Sequence, residues 1–333
     1  MSNCSVGCSQ ARVPVPDFHL WYYIVEGVLG FLTVIGNGFV VFLISTRRHL
    51  QVNHNFYIVS LALADFLLGI SLPTFSILCS YCMKCDWLAF YKFFNFFAFS
   101  SVANLCLMTF DRYFAIIYPL IYINRMTKRV LITSVAIAWC VTAVSAMLPF
   151  IWIYDADKAI VKKYNDAYYL TLLIVFELIP LVTMPIAYFR IFSVVRKHSI
   201  QVTTQRDQLS YNKHQLEMKD SKERTTSSNE NHGRNDEGKE TEKKKSSIFS
   251  LDNDAGRSSI IVLGLVILLF SLCWAYDIYI SLCTRVNLCR IRNVHEEGIS
   301  NILIYLNSAV NPFVYFLFKK DVRRELKACL KRS

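Results

Sequence analysis

Residues 101–119 read SVANLCLMTFDRYFAIIYP. A long apolar run ends there in Asp111-Arg112-Tyr113, placing an acid and a guanidinium side by side at the end of a segment suited to hydrocarbon. Ionisable groups in such a place are expensive, and they persist where they are paired and do something.

Outward from this stretch the chain stays apolar. Of its 333 residues 54% are hydrophobic, 14% aromatic and only 18% charged, a composition outside that of ordinary soluble domains. A bilayer core about 30 Å thick needs roughly 20 apolar residues of helix. Such runs lie near 20–45, 56–80, 88–118, 130–153, 168–195, 259–284 and 297–318. The expected fold class is an all-α membrane protein, a seven-transmembrane helix bundle.

The net charge of +11 is no nucleic-acid signature, because the basic residues sit in the gaps between spans. Arg47-Arg48, Arg125 with Lys128-Arg129, Arg190 with Arg196-Lys197, and Lys319 to Lys327 all fall on one side. That side is expected to be cytoplasmic, with Met1 outside. The first eighteen residues are polar and the first apolar run is too long for the core of a cleavable signal, so span one is expected to act as the anchor.

The domain plan follows. Residues 1–18 form an extracellular tail, 19–197 hold transmembrane helices 1–5, 198–256 form a third cytoplasmic loop, 257–318 hold helices 6–7, and 319–333 form an amphipathic helix and tail. The loop is rich in Gln, Asn, Ser, Thr, Lys and Glu with few aromatics, and by composition it is expected to be disordered. After span seven, Phe318, Val322, Leu326 and Leu330 recur every fourth residue opposite Lys319, Lys320, Arg323, Arg324 and Lys327. This pattern fits an eighth helix lying on the inner leaflet.

Several residues stand out within the spans. Gly36-Asn37-Gly38 in span one suits close helix packing with an amide bonding across. Asp65 is a lone carboxylate near mid-membrane in span two, a functional-site candidate by default. Trp139 in span four reads as a packed indole donating to a group such as Ser60 or Asn104. Pro180 and Pro185 in span five free backbone carbonyls and let the helix bulge or kink. Asn3-Cys4-Ser5 matches the glycosylation sequon. Cys329 is a candidate for palmitoylation, with a free cytosolic thiol as the alternative.

Seven spans with the amino end outside, Asp-Arg-Tyr at 111–113, Cys273-Trp274 in span six and Asn311-Pro312-Phe313-Val314-Tyr315 in span seven together resemble the rhodopsin-like (class A) G-protein-coupled receptors. Within that family the branch is similar to amine, melanocortin and adenosine-type receptors. The resemblance covers about residues 20–330. It implies a multi-pass protein of the plasma membrane whose partners are a heterotrimeric G protein, arrestin and receptor kinases. It implies no cofactor beyond an allosteric sodium ion.

By position, the resemblance assigns roles. Asp111 restrains Arg112, which meets the G protein once span six moves outward, while Tyr113, Tyr188, Asn311, Pro312 and Tyr315 belong to the same switch. Asp65, Ser101, Asn307 and Asn311 match the sodium site. Val102, Pro180 and Phe270 match the relay, with Trp274 at the pocket floor. A seven-helix transporter or channel is the competing class, but no internal repeat of the kind transporters carry is visible.

The chain also departs from the pattern. Trp87 stands where the family's bridging cysteine is expected, and no cysteine lies between Cys140 and Cys273. Cys283 and Cys289 form the most plausible local bridge, although pairing does not follow from sequence. Tyr276 replaces the proline two residues after Trp274, and Gly256 replaces the second acid that restrains Arg112. Measurable ligand-independent signalling is therefore expected.

On the ligand side, span seven has no lysine for a retinal Schiff base, Tyr305 being at that place. The anchoring Asp of amine receptors is replaced by Phe94, followed by Asn95. Asp277 and Glu177 are the substitute acids, with polar bonding inside the bundle as their alternative role. The expected pocket adds Ala98, Leu172, Phe176, Trp274, Ile278, Asn301 and Tyr305, an apolar and aromatic lining. A small cationic ligand is favoured. A short basic peptide engaging Asp155, Asp157 and Glu296, or a neutral lipid, is the alternative. No nucleophile–base set or metal-ligand spacing suggests an enzyme.

Overall fold

A computed structural model describes residues 20–80, 87–152, 157–224, 236–285 and 294–330. The described residues are almost entirely helical and include no strand. The helices are α1 Leu20–Thr46, α2 Asn53–Ser80, α3 Trp87–Ile117, a short α4 Pro119–Arg125, α5 Lys128–Met147, and α6 Lys158–Leu172. A π-helical segment, Leu173–Leu178, joins α6 to α7 Ile179–Arg224; α8 Asp236–Arg285, α9 Val294–Phe318 and α10 Lys320–Leu330 complete the chain. With α6 and α7 forming one continuous rod, seven helices cross the membrane. Six are long and apolar enough over their described residues, and α2 contributes the apolar stretch Asn55–Ser71.

Hydrocarbon offers backbone groups no hydrogen bonds, so each span closes its own ladder as a helix. The lipid-facing side is as apolar as the interior. On α1, Ile24, Val28, Phe31, Ile35 and Phe42 are exposed while Asn37 is wholly buried. Polarity is thus concentrated inside: Asp65, Ser100, Ser101, Asn104, Asp111, Asn307, Ser308 and Asn311 are all buried.

Close contacts set the arrangement. α1 packs on α2 and α9, α2 on α3, α3 on α5 and α7, and α8 on α9. A Cβ at Gly36 would lie 2.9 Å from Pro312 Cγ, so the absence of a side chain lets α1 meet the proline bend of α9. One residue on, Asn37 Nδ2 donates to the Ser308 carbonyl at 3.1 Å. Trp139 Nε1 donates to Ser60 Oγ at 3.0 Å, fixing α5 to α2 as its sequence position suggests.

The π-helical segment ends two residues before Pro180. That proline has no N–H to offer the carbonyl four residues earlier, and one wide turn absorbs the mismatch, a device frequent at functional sites. It leaves Phe176 and Glu177 buried.

Of residues 198–256, expected to be disordered by composition, 198–224 and 236–256 are described, and those are helical. α7 continues to Arg224, with largely exposed side chains over 198–216, and α8 begins at Asp236. The segment has no proline, and its Gln, Lys, Glu, Arg and Met are good helix formers. Low apolar content removes a core without forbidding a solvated helix.

At the end of the bundle that carries Asp111, termed the inner end, α10 lies after a break at Lys319, with Val322 buried. Glu325 of α10 pairs with Arg47 at 3.7 Å and with His49 at 3.0 Å. At the outer end, Asp157 accepts the backbone N–H of Ala159 at 2.8 Å and caps α6. Asn3, Cys289, Asp155 and the side chains of Glu296 and Cys329 lie outside the described residues.

Candidate functional site

Three polar layers are stacked along the bundle. The innermost is built on Asp111-Arg112-Tyr113 in the last turns of α3. Asp111 is buried, and its Oδ2 accepts both Arg112 Nη2 at 2.6 Å and Arg112 Nε at 3.0 Å. Its second oxygen, Oδ1, accepts the hydroxyl of Tyr122 at 2.8 Å. Pro119 sits at the first turn of α4, where its fixed φ suits a helix start; that turn carries Tyr122 back beneath α3. Burial and the neighbouring Asp111 charge raise the Tyr122 pKa, so its hydroxyl remains a donor. Sequence reasoning gave Asp111 one partner, whereas the structure gives it two. Tyr122 was readable as the phenol one turn into a Pro-started helix, but nothing in the pattern fixed its direction.

The two tyrosines expected in the switch stand apart from Arg112. Tyr315 is fully buried, and its hydroxyl has no hydrogen-bond partner. Tyr188 lies against α8, where a Cβ at Gly264 would come within 2.2 Å of its oxygen. Tyr113 is half-buried with its ring edge on Phe114 and Tyr118. Pro312 serves as the α9 contact of Gly36.

The middle layer centres on Asp65, which is wholly buried. Ser101 Oγ and Ser308 Oγ donate to its Oδ1, each at 2.7 Å, and Asn311 Nδ2 donates to Oδ2 at 2.8 Å. Ser308 was missed by sequence reasoning, which chose its neighbour Asn307. Successive residues on a helix are about 100° apart, and it is Ser308 that donates to the carboxylate. Asn307 is buried beside it, and Asn307 Oδ1 and Asn311 Oδ1 lack hydrogen-bond partners.

The outer layer is a cavity of about 60 Å³. Phe94, Asn95, Ala98, Leu172, Glu177, Trp274, Asp277 and Asn301 line it as expected, and so do Phe99, Tyr169, Leu173, Ser281 and Ile304. Phe176, Ile278 and Tyr305, also expected there, stand outside its lining. Phe176 stacks on Phe99 with centroids 4.8 Å apart, Ile278 is buried, and Tyr305 packs 5.8 Å from the Phe94 ring with its hydroxyl donating to the Leu68 carbonyl at 3.4 Å. Ser300 Oγ donates to Asp277 Oδ1.

A cation at the outer end of α3 escaped the sequence reading. Lys92 is buried, donates to Tyr169 Oη at 3.1 Å, and sits 4.8 Å from the ring centroids of both Tyr168 and Tyr169. Lysine buried under aromatic faces is stabilised by the ring quadrupoles. Only the adjacent tyrosine pair hinted at this.

Rings connect the cavity to the interior. Phe176 stacks on Phe99, Phe99 lies 6.3 Å from Trp274, and Trp274 lies 5.7 Å from Phe270. Val102 and Pro180 are buried, as is Phe270. The Trp274 Nε1 has no hydrogen-bond partner. At the outer end of α8, Cys283 is disulfide-bonded.

A closed helical bundle with an aromatic-lined outer cavity, a buried carboxylate cluster at mid-depth and a restrained arginine at the inner end has the organisation of a membrane receptor. The chain belongs to the 7 transmembrane receptor (rhodopsin family), whose family model matches residues 36–315. This is a receptor family and not an enzyme family. Among curated proteins the chain is similar to trace amine-associated receptor 8b of Rattus norvegicus, at 27% identity over 98% of this chain and 91% of that protein. It is 26% identical to 5-hydroxytryptamine receptor 2C of Homo sapiens, over 88% of this chain and 68% of that one. It is also 26% identical to octopamine receptor beta-1R of Drosophila melanogaster, over 91% of this chain and 61% of the relative's length.

Proposed function

We propose that this protein is a plasma-membrane G-protein-coupled receptor for a small amine, with its amino end outside, and that Asp277 and Glu177 replace the usual anchor on α3. The carrying observation is the composition of the outer cavity. Phe94 occupies the place of the usual acid, while Glu177 from the π-helical segment and Asp277 from α8 both line the same small space among aromatic rings. A cationic ligand entering this space would meet both carboxylates in a water-poor setting, where charge pairing is strong. The amine names of the relatives support the same class. A short basic peptide is less favoured, since Asp157, one of its outer contacts, is engaged in capping α6.

The output follows from the inner layer. Ligand closing on Asp277 tilts α8 through Trp274 and Phe270, and the population shifts by the ligand's difference in affinity for the two states. Arg112 then leaves Asp111 for the G protein, and Tyr188 and Tyr315 turn toward it; arrestin and receptor kinases act on the same inner face. The Asp65 layer supplies a carboxylate, the Ser101 hydroxyl and the unpartnered amide oxygens of Asn307 and Asn311, an oxygen set suited to a hard cation. Sodium held there stabilises the resting packing.

The decisive experiment screens an amine library for G-protein dissociation, with Arg112→Ala as the blank. An amine that activates the wild type, with the response lost in Asp277→Asn at unchanged surface expression, supports the reading. Tolerance of substitution at both acids would move the assignment to a neutral lipid. Uptake or current independent of G proteins would overturn the receptor mechanism.

A further inference from the structure

Ser258 opens the apolar span of α8, Ser258–Cys283, and is only 6% exposed. Its hydroxyl donates to the carbonyl of Phe318, the last residue of α9, and accepts the backbone N–H of Lys320, the first residue of α10, at 3.1 Å. Lys319, the single non-helical residue between these helices, is also buried. A helix end leaves carbonyls unsatisfied and a helix start leaves N–H groups unsatisfied, and local residues or water normally serve them. Here one hydroxyl from a helix about sixty positions earlier in the chain serves both.

We propose that Ser258 is the positioning residue that holds α8 in the resting receptor by latching it to the α9–α10 junction. The inference rests on the receptor reading above, in which α8 swings outward. The second acid that restrains the arginine of the switch in the family is replaced by Gly256, and the described ion pair of Arg112 is with Asp111. The restraint on α8 has moved from a charge on Arg112 to a neutral hydroxyl on the backbone of the next two helices.

The chemistry sets the character of the latch. When α8 leaves, the Phe318 carbonyl and the Lys320 N–H turn to water, so the net loss is that of ordinary neutral hydrogen bonds rather than a broken ion pair. Such a latch shifts the resting equilibrium by a small factor, which fits a receptor with measurable signalling in the absence of ligand. It also couples two movements, because opening α8 releases the start of α10.

The test compares full-length variants at matched surface expression, by nucleotide exchange on G protein and by the distance between spin labels at the inner ends of α3 and α8. Ser258→Ala is expected to raise basal exchange about three- to tenfold, the equivalent of roughly one net hydrogen bond, and to lengthen the distance without any G protein. Ser258→Thr, which keeps the hydroxyl, stays within about twofold of wild type, and Arg112→Ala added to Ser258→Ala abolishes the gain. Lys320→Pro removes the N–H at a position where proline suits a helix start and reproduces the gain, whereas Lys320→Ala does not. A Ser258→Ala receptor with lower thermal stability but unchanged distance and basal exchange would reduce Ser258 to a structural cap and overturn the proposal. If wild type and Arg112→Ala exchange equally, the G-protein reading fails, and the distance measurement still decides the latch.

Discussion

Tyr122 donates its hydroxyl to Oδ1 of Asp111 at 2.8 Å while Arg112 occupies Oδ2. The Asp111 carboxylate is therefore held from both sides, by its sequence neighbour and by the short helix that follows α3. A hydrogen bond to a charged group contributes about 1.5–3 kcal/mol, more than either neutral contact in the Ser258 latch. Tyr122→Phe is expected to free Asp111 and raise basal G-protein exchange by roughly tenfold at matched surface expression. An unchanged basal rate would show that the Arg112 contact alone sets the resting state.

The Asp65 cluster makes a prediction about sodium. Asp65→Asn keeps the shape but replaces one carboxylate oxygen with an amide that cannot accept all of the donors from Ser101, Ser308 and Asn311. Removing an acceptor from a buried donor costs about 1–3 kcal/mol. In detergent, the wild type should melt higher in sodium chloride than in choline chloride. Asp65→Asn should melt lower in choline chloride than the wild type and show no sodium effect. A sodium effect that survives the substitution would place the cation elsewhere.

Gly264 and Tyr188 form a test of packing between α7 and α8. A methyl at Gly264 would meet the Tyr188 oxygen at 2.2 Å and its ring carbon Cζ at 2.3 Å, so the ring must swing away. Gly264→Ala is expected to destabilise the resting receptor by roughly 1–3 kcal/mol, typical of overpacking, read as a lower melting temperature. Combining it with Tyr188→Ala should recover most of the loss. Additive losses in that double-mutant cycle would mean that the two residues are uncoupled.

These residues mark where the sequence was legible. Span positions are legible in hydropathy, and Asp65 and the Asp111–Arg112 pair stand out as ionisable groups in apolar runs, because a lipid-immersed helix leaves polar residues only where they bond inward; Ser101, Asn311 and the expected pocket residues are reached only through the family resemblance. Ser308 was missed because helix rotation decides between adjacent polar residues, and motif position does not resolve it. Tyr122, Ser258 and Lys92 were missed because each bonds across a gap of 11 to 77 positions, and one sequence contains no record of such distances. Phe176, Ile278 and Tyr305 are expected at the cavity through the family resemblance, but Phe176 packs behind Phe99 and Tyr305 against Phe94, and Ile278 is buried outside the lining.

Lys319 gives the pH prediction. Its side chain is buried at the break between α9 and α10, with Asp321 of α10 and Arg112 of α3 as the charges acting on it. Its pKa is lowered to about 8 from the ordinary 10.5, chiefly by burial, with Asp321 opposing the shift and the Arg112 charge adding to it. Between these two values the unfolded chain binds more protons than the folded one, so stability rises with pH through that window. Below about pH 8 the lysine is charged in both states, and the full cost of burying it is present. Lys319→Met, which keeps most of the volume and removes the charge, should therefore raise the melting temperature most at pH 7 and progressively less toward pH 10. A gain that is constant across that range would show that Lys319 reaches water when charged, and that its ammonium carries no burial penalty in the resting receptor.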